Sequence, residues 1–445
     1  MSADYFDLKT FESLPLNDAY AVIGNPIGHS MSPPLHAALV KGINYIAVLV
    51  DGRNGLKKFC SLAKSRLKGF NVTIPYKKEI LKYLDELDPA ARKTQSVNTV
   101  LNFNGRLKGF NTDIYGIAGA LKYNNINCQG KRALVLGGGG AAAAAVEALE
   151  SMGAEVTVAV RNVAKAKKTF IKDNIIDLRK IDGFYDILIN CTPCGMKGQE
   201  DTSAIEITQK NYGFVYDTVY NPLTTKLLKQ AQSLGIKTDC GAGMLVFQAI
   251  EAQRIWGNVQ NVPPQKAEEL INLVKAQVFA QRQGGKCVAL CGFMGSGKST
   301  VAKCLQNKYK IKYIDTDSLI TSQTGMAISE IFNKYGEEYF RRIESEIICN
   351  IDFGAFKVIS LGGGAVTVRK NVDCLKENCK IIYISVALDT VLKRAKDNTR
   401  PLLSQNGKKT AELYQKRKKI YQEVCDYTVD GEKDLQEVCE DIISL

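Results

Sequence analysis

Apolar and polar positions change rhythm three times along this chain. Between residues 20 and 120, short apolar runs at 21–23, 46–50 and 69–73 read as strands, and helical patterns fall at 34–40 and 77–87. From Lys131 the order becomes apolar strand, glycine turn, alanine-rich helix and a further strand at 155–160, the βαβ opening of a Rossmann unit. Strands at 187–189 and 214–216 follow, then helical patterns at 244–256 and 264–282. After Gln283-Gly284-Gly285-Lys286 the chain begins again with a strand (Val288-Ala289-Leu290), a glycine loop and a helix. The predicted fold is α/β throughout. Residues 1–115, with helices at 240–282, are expected to form one α/β domain, and 116–239 a Rossmann domain. Residues 283–286 are a linker, and 287–445 form a P-loop domain with a parallel sheet. The two glycine loops differ in spacing, so no internal repeat relates the halves.

Length and composition agree with several ordinary globular domains. The chain has 445 residues, 45% hydrophobic and 24% charged, enough for about three domains of ~150 residues. No apolar run approaches the ~20 residues of a membrane span, and the N-terminus lacks the basic and apolar regions of a secretory signal. Thirteen cysteines, an odd number without framework spacing, suit a reducing cytoplasm. The net charge of +13 is spread over the chain, densest at Lys416-Arg417-Lys418-Lys419. No aromatic stripe, helix-turn-helix or zinc-finger spacing accompanies it, so it suits small anions rather than nucleic acid. No membrane and no obligate protein partner is expected.

The more specific of the two loops is Gly292-Phe293-Met294-Gly295-Ser296-Gly297-Lys298-Ser299, with Thr300 next. Such a loop wraps phosphates with backbone amides and a helix N-terminus, which assigns Gly295, Ser296, Gly297, Lys298, Ser299 and Thr300 to ATP. Lys298 reaches the β and γ oxygens, and the Ser299 hydroxyl suits Mg²⁺. Downstream come Tyr313-Ile314-Asp315-Thr316-Asp317, Gly336-Glu337-Glu338-Tyr339-Phe340-Arg341-Arg342-Ile343-Glu344, Leu361-Gly362-Gly363-Gly364-Ala365, Arg400-Pro401-Leu402-Leu403, and Arg417 four residues before Tyr421. This ordered run resembles shikimate kinase over nearly all of 287–445. The resemblance implies that Asp317 grips the shikimate hydroxyls and acts as base, and that Asp315 holds Mg²⁺ through water. It also implies that Arg341 and Arg417 clamp the substrate carboxylate, that Gly362, Gly363 and Gly364 let backbone approach the ring, and that Arg400 closes on the phosphates. Arginine's planar fork suits a carboxylate independently of any family.

The first half carries Gly24-Asn25-Pro26-Ile27-Gly28-His29-Ser30-Met31-Ser32-Pro33, Asn71-Val72-Thr73-Ile74-Pro75-Tyr76-Lys77, Val97-Asn98-Thr99 and Gly109-Phe110-Asn111-Thr112-Asp113. With Gly243-Met244-Leu245 and Gln248, this set resembles shikimate dehydrogenase over about 18–280. By that resemblance Ser30 and Ser32 bind the substrate carboxylate. Asn71, Thr73, Lys77, Asn98, Asp113 and Gln248 surround the ring. The glycine turn Gly137, Gly138, Gly139, Gly140 and Ala141, together with Thr192, Met196 and Gly243, faces the cofactor. Reducing a ketone needs a hydride from one face and a proton at the oxygen. Lys77 suits the second task, with Asp113 favouring and orienting its ammonium.

The tip of the strand 155–160 helps choose the cofactor. It carries no acid; it ends Val160-Arg161-Asn162, and Arg161 with Lys165 suits the 2′-phosphate of NADP(H). The family pattern there is Asn-Arg-Thr, so Val160 and Asn162 depart from it. Cys191-Thr192-Pro193-Cys194 has no second pair to complete a metal site, and His29 and His36 are expected to pack or bond locally.

The functional expectation is a bifunctional enzyme of aromatic amino-acid biosynthesis: NADPH-dependent reduction of 3-dehydroshikimate to shikimate, then ATP- and Mg²⁺-dependent phosphorylation of shikimate. Two alternatives stand beside it. One is an NAD-dependent quinate/shikimate dehydrogenase fused to the kinase, against which Arg161 argues. The other is a catalytically inactive metabolite-sensing regulator, against which Lys77, Asp113, Lys298, Asp317 and Arg341 argue.

Overall fold

Apolar strands and helices alternate along the chain, and the strands assemble into three sheets among the described residues. The computed structural model describes residues 5–16, 18–28, 30–167, 170, 174–396 and 407–445. They fall into two units, Met1–Val274 and Lys275–Leu445.

In the first unit, a mixed seven-stranded sheet runs Tyr5–Phe6, Asn44–Leu49, Ala19–Gly24, Leu67–Val72, Thr99–Phe103, Arg106–Phe110, Glu86–Leu87. Its inner strands are parallel, and Thr99–Phe103 is antiparallel to both of its neighbours. Asn104 and Gly105, both at positive φ, close the hairpin between Thr99–Phe103 and Arg106–Phe110, the two-residue turn that matches strand twist. Phe11, Phe59, Phe70 and Val100 lie in the core on one face of this sheet.

A second sheet in the same unit has six parallel strands in the order Ile175–Asp177, Glu155–Val160, Arg132–Leu136, Tyr185–Asn190, Tyr212–Asp217, Lys237–Cys240. Chain order reverses beside Arg132–Leu136, which opens a crevice at the carboxyl ends of the strands. The helix Gly140–Ser151 starts there, and its alanines pack against the sheet.

The second unit holds a five-stranded parallel sheet: Tyr313–Asp315, Val358–Ser360, Cys287–Cys291, Cys379–Ser385, Tyr427–Asp430. The glycine loop follows the central strand, every residue of which is buried.

One predicted helix, 77–87, does not form. Glu79–Tyr83 is a 3-10 turn and Glu86–Leu87 an edge strand. Glu86 and Leu87 pair with Lys108 and Gly109, and Asp85 accepts the Leu107 amide at 2.7 Å. Ladder bonds from a distant hairpin outweigh the local helical period. The junction expected at 283–286 differs from the division between the units, which falls within the helix Pro264–Arg282. The end of that helix is tied to the second unit, where the Arg282 guanidinium donates to the Leu445 carbonyl at 3.3 Å.

Cys349 and Cys374 form a disulfide between the helices Ile328–Cys349 and Arg369–Asn378. The other eleven cysteines are free. Among the described residues, no helix is long and apolar enough to cross a membrane.

Candidate active sites

In the first unit the chemistry starts from two helices that approach closely because glycine lines the contact. Asp113 begins the helix Asp113–Tyr123, and Gln248 lies midway along Ala242–Ile255. A Cβ on Gly116 would stand 2.7 Å from the Met244 carbonyl, and one on Gly119 would overlap the Phe247 ring. The bare backbone brings the start of the first helix, with Asp113, beside the middle of the second, with Gln248.

Around them the polar side chains satisfy one another. Lys77 Nζ donates to Asp113 Oδ2 at 2.5 Å. Asn98 Nδ2 donates to Asp113 Oδ1 at 2.8 Å and lies 3.4 Å from Gln248 Oε1. Asn98 Oδ1 accepts the Thr112 amide at 2.6 Å. Asn71 Nδ2 donates to the Asn98 carbonyl and to Thr99 Oγ1, at 3.1 and 2.9 Å. Asp113 is buried and Lys77 about one quarter exposed. The ammonium is therefore held by a buried carboxylate yet open on one side, as a proton donor to a bound ligand must be.

Ser30, Ser32 and Thr73 edge the same region. The Ser32 amide donates to Ser30 Oγ at 3.2 Å, and the Thr73 amide to the Ile23 carbonyl at 2.9 Å. Behind them lies a residue that sequence reasoning passed over. Tyr45 is buried, donates to Asn71 Oδ1 at 2.7 Å and stacks on His36 at 4.1 Å. His36 accepts from the Gln253 amide at 2.6 Å, and burial holds its pKa down at about 3. It packs and bonds locally, as expected. His29 lies outside the described residues.

At the strand ends facing the crevice, Gly137 has φ +119°, and a Cβ there would sit 3.1 Å from the Cys191 carbonyl. A Cβ on Gly139 would meet nothing, so the turn can accept a close ligand at the start of its helix. Thr192 donates from both its amide and its hydroxyl to Asn190 Oδ1, at 3.0 and 2.7 Å. Asn190 in turn donates to Asp217 at 3.0 Å. Burial raises the Asp217 pKa to about 6, against hydrogen bonds from Thr225, Val219 and Asn190 that favour the ionised form.

Arg161 and Lys165 are exposed just past the strand Glu155–Val160. Asn162 accepts the Lys165 amide at 2.9 Å, which gives this departure from the family pattern a local reason. Met196 is 38% exposed. A Cβ on Gly243 would stand 3.4 Å from that of Ala120, so this glycine lines a helix contact.

In the second unit Lys298 opens the helix Lys298–Tyr309 after Gly297, whose φ is +92°. Its ammonium donates to the Gly292 and Phe293 carbonyls of its own loop at 2.9 and 3.0 Å. Ser299 Oγ donates to Asp315 Oδ2 at 2.7 Å and lies 3.2 Å from Ser360 Oγ. This oxygen-only cluster fits a hard divalent cation. Asp315 also caps the helix Thr316–Thr324 through the Ser318 amide, which places Asp317 in its first turn.

Three glycines bring the remaining groups together. A Cβ on Gly362 would lie 2.6 Å from Glu344 Oε1 and 2.7 Å from Asp317 Oδ1, and one on Gly364 would overlap the Arg341 guanidinium. Arg341 donates to Glu344 Oε2 at 2.5 Å and to Glu337 Oε1 at 3.2 Å. Glu344 is fully buried, and its Oε1 has no partner among the described residues. Burial raises its pKa, while Arg341 and Arg417 pull it down. Glu344 stood inside the quoted run without a role. Its signal in the sequence was an acid one helical turn after Arg341. Arg400 lies outside the described residues.

Comparison with known proteins finds a different family in each part of the chain. Residues 22–100 match the family model for the shikimate dehydrogenase substrate binding domain, and residues 294–445 the model for shikimate kinase. The shikimate dehydrogenase (NADP(+)) of Caldicellulosiruptor bescii is 38% identical over 271 residues, covering 56% of this chain and 93% of that protein. A chorismate mutase/shikimate 5-dehydrogenase fusion protein from Clostridium acetobutylicum superposes with a TM-score of 0.55 at 32% identity, over 59% of this chain and 99% of that one. Shikimate 5-dehydrogenase from Thermus thermophilus, solved with NADP(H) and shikimate, gives 0.52 at 32% identity, over 57% of this chain and 99% of that one.

Proposed function

This chain belongs to the shikimate dehydrogenase family and carries a shikimate kinase domain in the same polypeptide, and from that premise we propose that it performs two consecutive reactions. It reduces 3-dehydroshikimate to shikimate with NADPH, then phosphorylates the 3-hydroxyl of shikimate with ATP. The observation that carries the first half is the Lys77–Asp113 pair at 2.5 Å inside a hydrogen-bonded cluster. The one that carries the second is the meeting of Asp317 and Arg341 at the Gly362–Gly364 turn, next to a complete phosphate-binding loop. The proposed division is 1–115 with 240–282 for the dehydrogenase substrate, 116–239 for the dinucleotide and 287–445 for the kinase, joined at 283–286.

In the reduction, NADPH supplies the hydride when bound at Gly137–Ala141. Lys77 delivers the proton to the carbonyl oxygen, and Asp113 holds and aims it. Ser30 and Ser32 take the substrate carboxylate, and Asn71, Thr73, Asn98 and Gln248 the ring hydroxyls. Arg161 and Lys165 receive the 2′-phosphate. In the phosphorylation, Asp317 accepts the proton of the attacking hydroxyl, and Arg341 and Arg417 hold the carboxylate. Lys298 leaves its loop carbonyls for the phosphate oxygens. Ser299 and Asp315 are the groups that would hold Mg²⁺, which supplies neutralisation of phosphate charge. Retention of both sets of reacting groups supports this reading over a metabolite sensor. A cytoplasmic location belongs to the same reading, supported by eleven free cysteines beside the single Cys349–Cys374 disulfide.

The test sets substrate against cofactor. Oxidation of shikimate with NADP⁺ should exceed oxidation of quinate with NAD⁺ by at least ~10²-fold in kcat/KM, about the discrimination a polar site and a phosphate contact supply together. Equal or reversed rates would replace the proposal with a quinate/shikimate dehydrogenase using NAD. Absence of both oxidations would favour the sensor.

A further inference from the structure

The three glycines at 362–364 touch two different things. The outer two face the acceptor groups: Gly362 meets Asp317 and Glu344, and Gly364 meets Arg341. The middle one faces the donor loop. A Cβ on Gly363 would stand 3.3 Å from the Met294 amide nitrogen and 3.7 Å from the Gly292 carbonyl. The position of this short turn therefore sets how far the phosphate-binding loop lies from the acceptor.

Hydroxyl groups hold the turn at each residue. The Gly362 amide donates to Thr316 Oγ1 at 2.9 Å, and Thr367 Oγ1 donates to the Gly364 carbonyl at 2.6 Å. Thr316 adjoins Asp317, and Thr367 closely follows the turn in sequence. The Gly363 carbonyl instead accepts from Tyr421 Oη at 2.5 Å, across 58 residues of sequence. Tyr421 sits on the helix Gly407–Val424, one turn after Arg417. Its buried ring packs 5.2 Å from Tyr383. Tyr383 belongs to Cys379–Ser385, the strand beside the one that leads into the phosphate-binding loop. Burial keeps the phenol well above its usual pKa and so protonated, the form able to donate.

We infer that Tyr421 is a positioning residue that fixes the spacing between the phosphate-binding loop and the acceptor groups, and thereby directs the phosphoryl group to the substrate hydroxyl rather than to water. Both outcomes are balanced reactions. Attack by the acceptor hydroxyl gives ADP, a phosphate ester and a proton; attack by water gives ADP, inorganic phosphate and a proton. They differ in which oxygen stands in line, and a displacement of about 1 Å costs ~10²-fold in such a step. The inference rests on the kinase reading above.

The experiment uses the full chain with shikimate, ATP and Mg²⁺, and counts ADP and phosphate ester separately. Tyr421→Phe keeps the ring and removes one hydroxyl. It should lower kcat for the ester at least ~10-fold, leave the KM for ATP within about threefold, and raise the ratio of ADP to ester severalfold above that of the unaltered chain. Tyr383→Phe removes the neighbouring hydroxyl without touching Gly363 and should keep the unaltered ratio. Three results would overturn the inference: an unchanged kcat and ratio in Tyr421→Phe, a lower kcat at an unchanged ratio, or equal uncoupling in both variants. An unaltered chain that makes no ester would instead remove the kinase reading itself.

Discussion

In the first unit Lys77 is already bonded to Asp113, with Asn98, Thr112 and Gln248 closing the network behind it. In the second, Lys298 donates to carbonyls of its own loop and Arg341 to Glu337 and Glu344. Both arrangements answer the same constraint, because a buried or half-buried charge without a partner is costly. The partners differ in kind. In the proposed mechanism Asp113 and Asn98 are groups the reduction itself uses, so the first site's internal bonds are also its working ones. The proposed role of Lys298 instead requires it to exchange the Gly292 and Phe293 carbonyls for phosphate oxygens. A site that acts on a carbonyl can be built closed on itself; a site for a triphosphate must keep its cations transferable.

That contrast fails if either site leans on the other. Lys298→Ala should lower phosphoryl transfer by more than ~10³-fold, since positioning and charge stabilisation carry nearly all of this chemistry. Hydride transfer should stay within about twofold of the unaltered chain. A matching fall in both rates, measured on one preparation, would show the units to be coupled.

Lys77→Ala tests the assembled side. Its dehydrogenase kcat should fall by at least ~10²-fold, the size of an acid–base contribution, and KM should move less because the proton is needed chiefly in the transition state. A kcat near that of the unaltered chain would remove Lys77 from the mechanism.

Acid should undo the first unit through His36. Its pKa falls from 6.5 unfolded to about 3 folded, so between those values the unfolded state binds the extra proton. The stability that follows from a neutral His36 is complete above pH ~6.5 and is lost as pH falls toward 3. From pH 6.5 to 5.0 the loss is about 1.6 kcal/mol, the limiting slope being ~1.36 kcal/mol per unit. Trp256, the only tryptophan, lies 5.7 Å from the His36 ring and reports on this unit. Urea midpoints by its fluorescence should drop over that range in the unaltered chain and stay flatter in His36→Gln. Identical pH dependence in both would relieve His36 of the role.

The smallest effect is at the cofactor. Arg161→Ala should raise KM for NADPH about tenfold, ~1.4 kcal/mol, and leave that for NADH almost unchanged. Equal shifts for the two cofactors would mean that Arg161 does not read the phosphate.

What the sequence made legible follows from how locally each feature is encoded. The glycine turns at 137–140 and 292–297 depend on backbone freedom and on an adjacent strand and helix, all within one short stretch of chain. The Lys77 and Asp113 runs are likewise compact, and topology then joins them. Tyr45 carries no motif, and Glu344 and Tyr421 stand in the kinase-like run without a role, because each is a buried polar group whose partner is chosen by packing. Tyr421 reaches a carbonyl 58 positions away, and no spacing rule along one helix or strand announces that bond. The stretch 77–87 was misread for a related reason: its apolar period is helical, but the hairpin at Thr99–Phe103 and Arg106–Phe110 offers it an edge. Arg400 lies outside the described residues and stays an expectation from sequence.

The central claim is that one polypeptide holds two complete and separately built active sites. It is tested most directly by supplying 3-dehydroshikimate, NADPH, ATP and Mg²⁺ to the purified chain and identifying the products. The account predicts shikimate 3-phosphate from the unaltered chain, shikimate alone from Lys298→Ala, and at most a trace of either product from Lys77→Ala, which should still phosphorylate added shikimate at the unaltered rate. Failure of the unaltered chain to form shikimate 3-phosphate, or failure of Lys77→Ala to phosphorylate added shikimate, would contradict it.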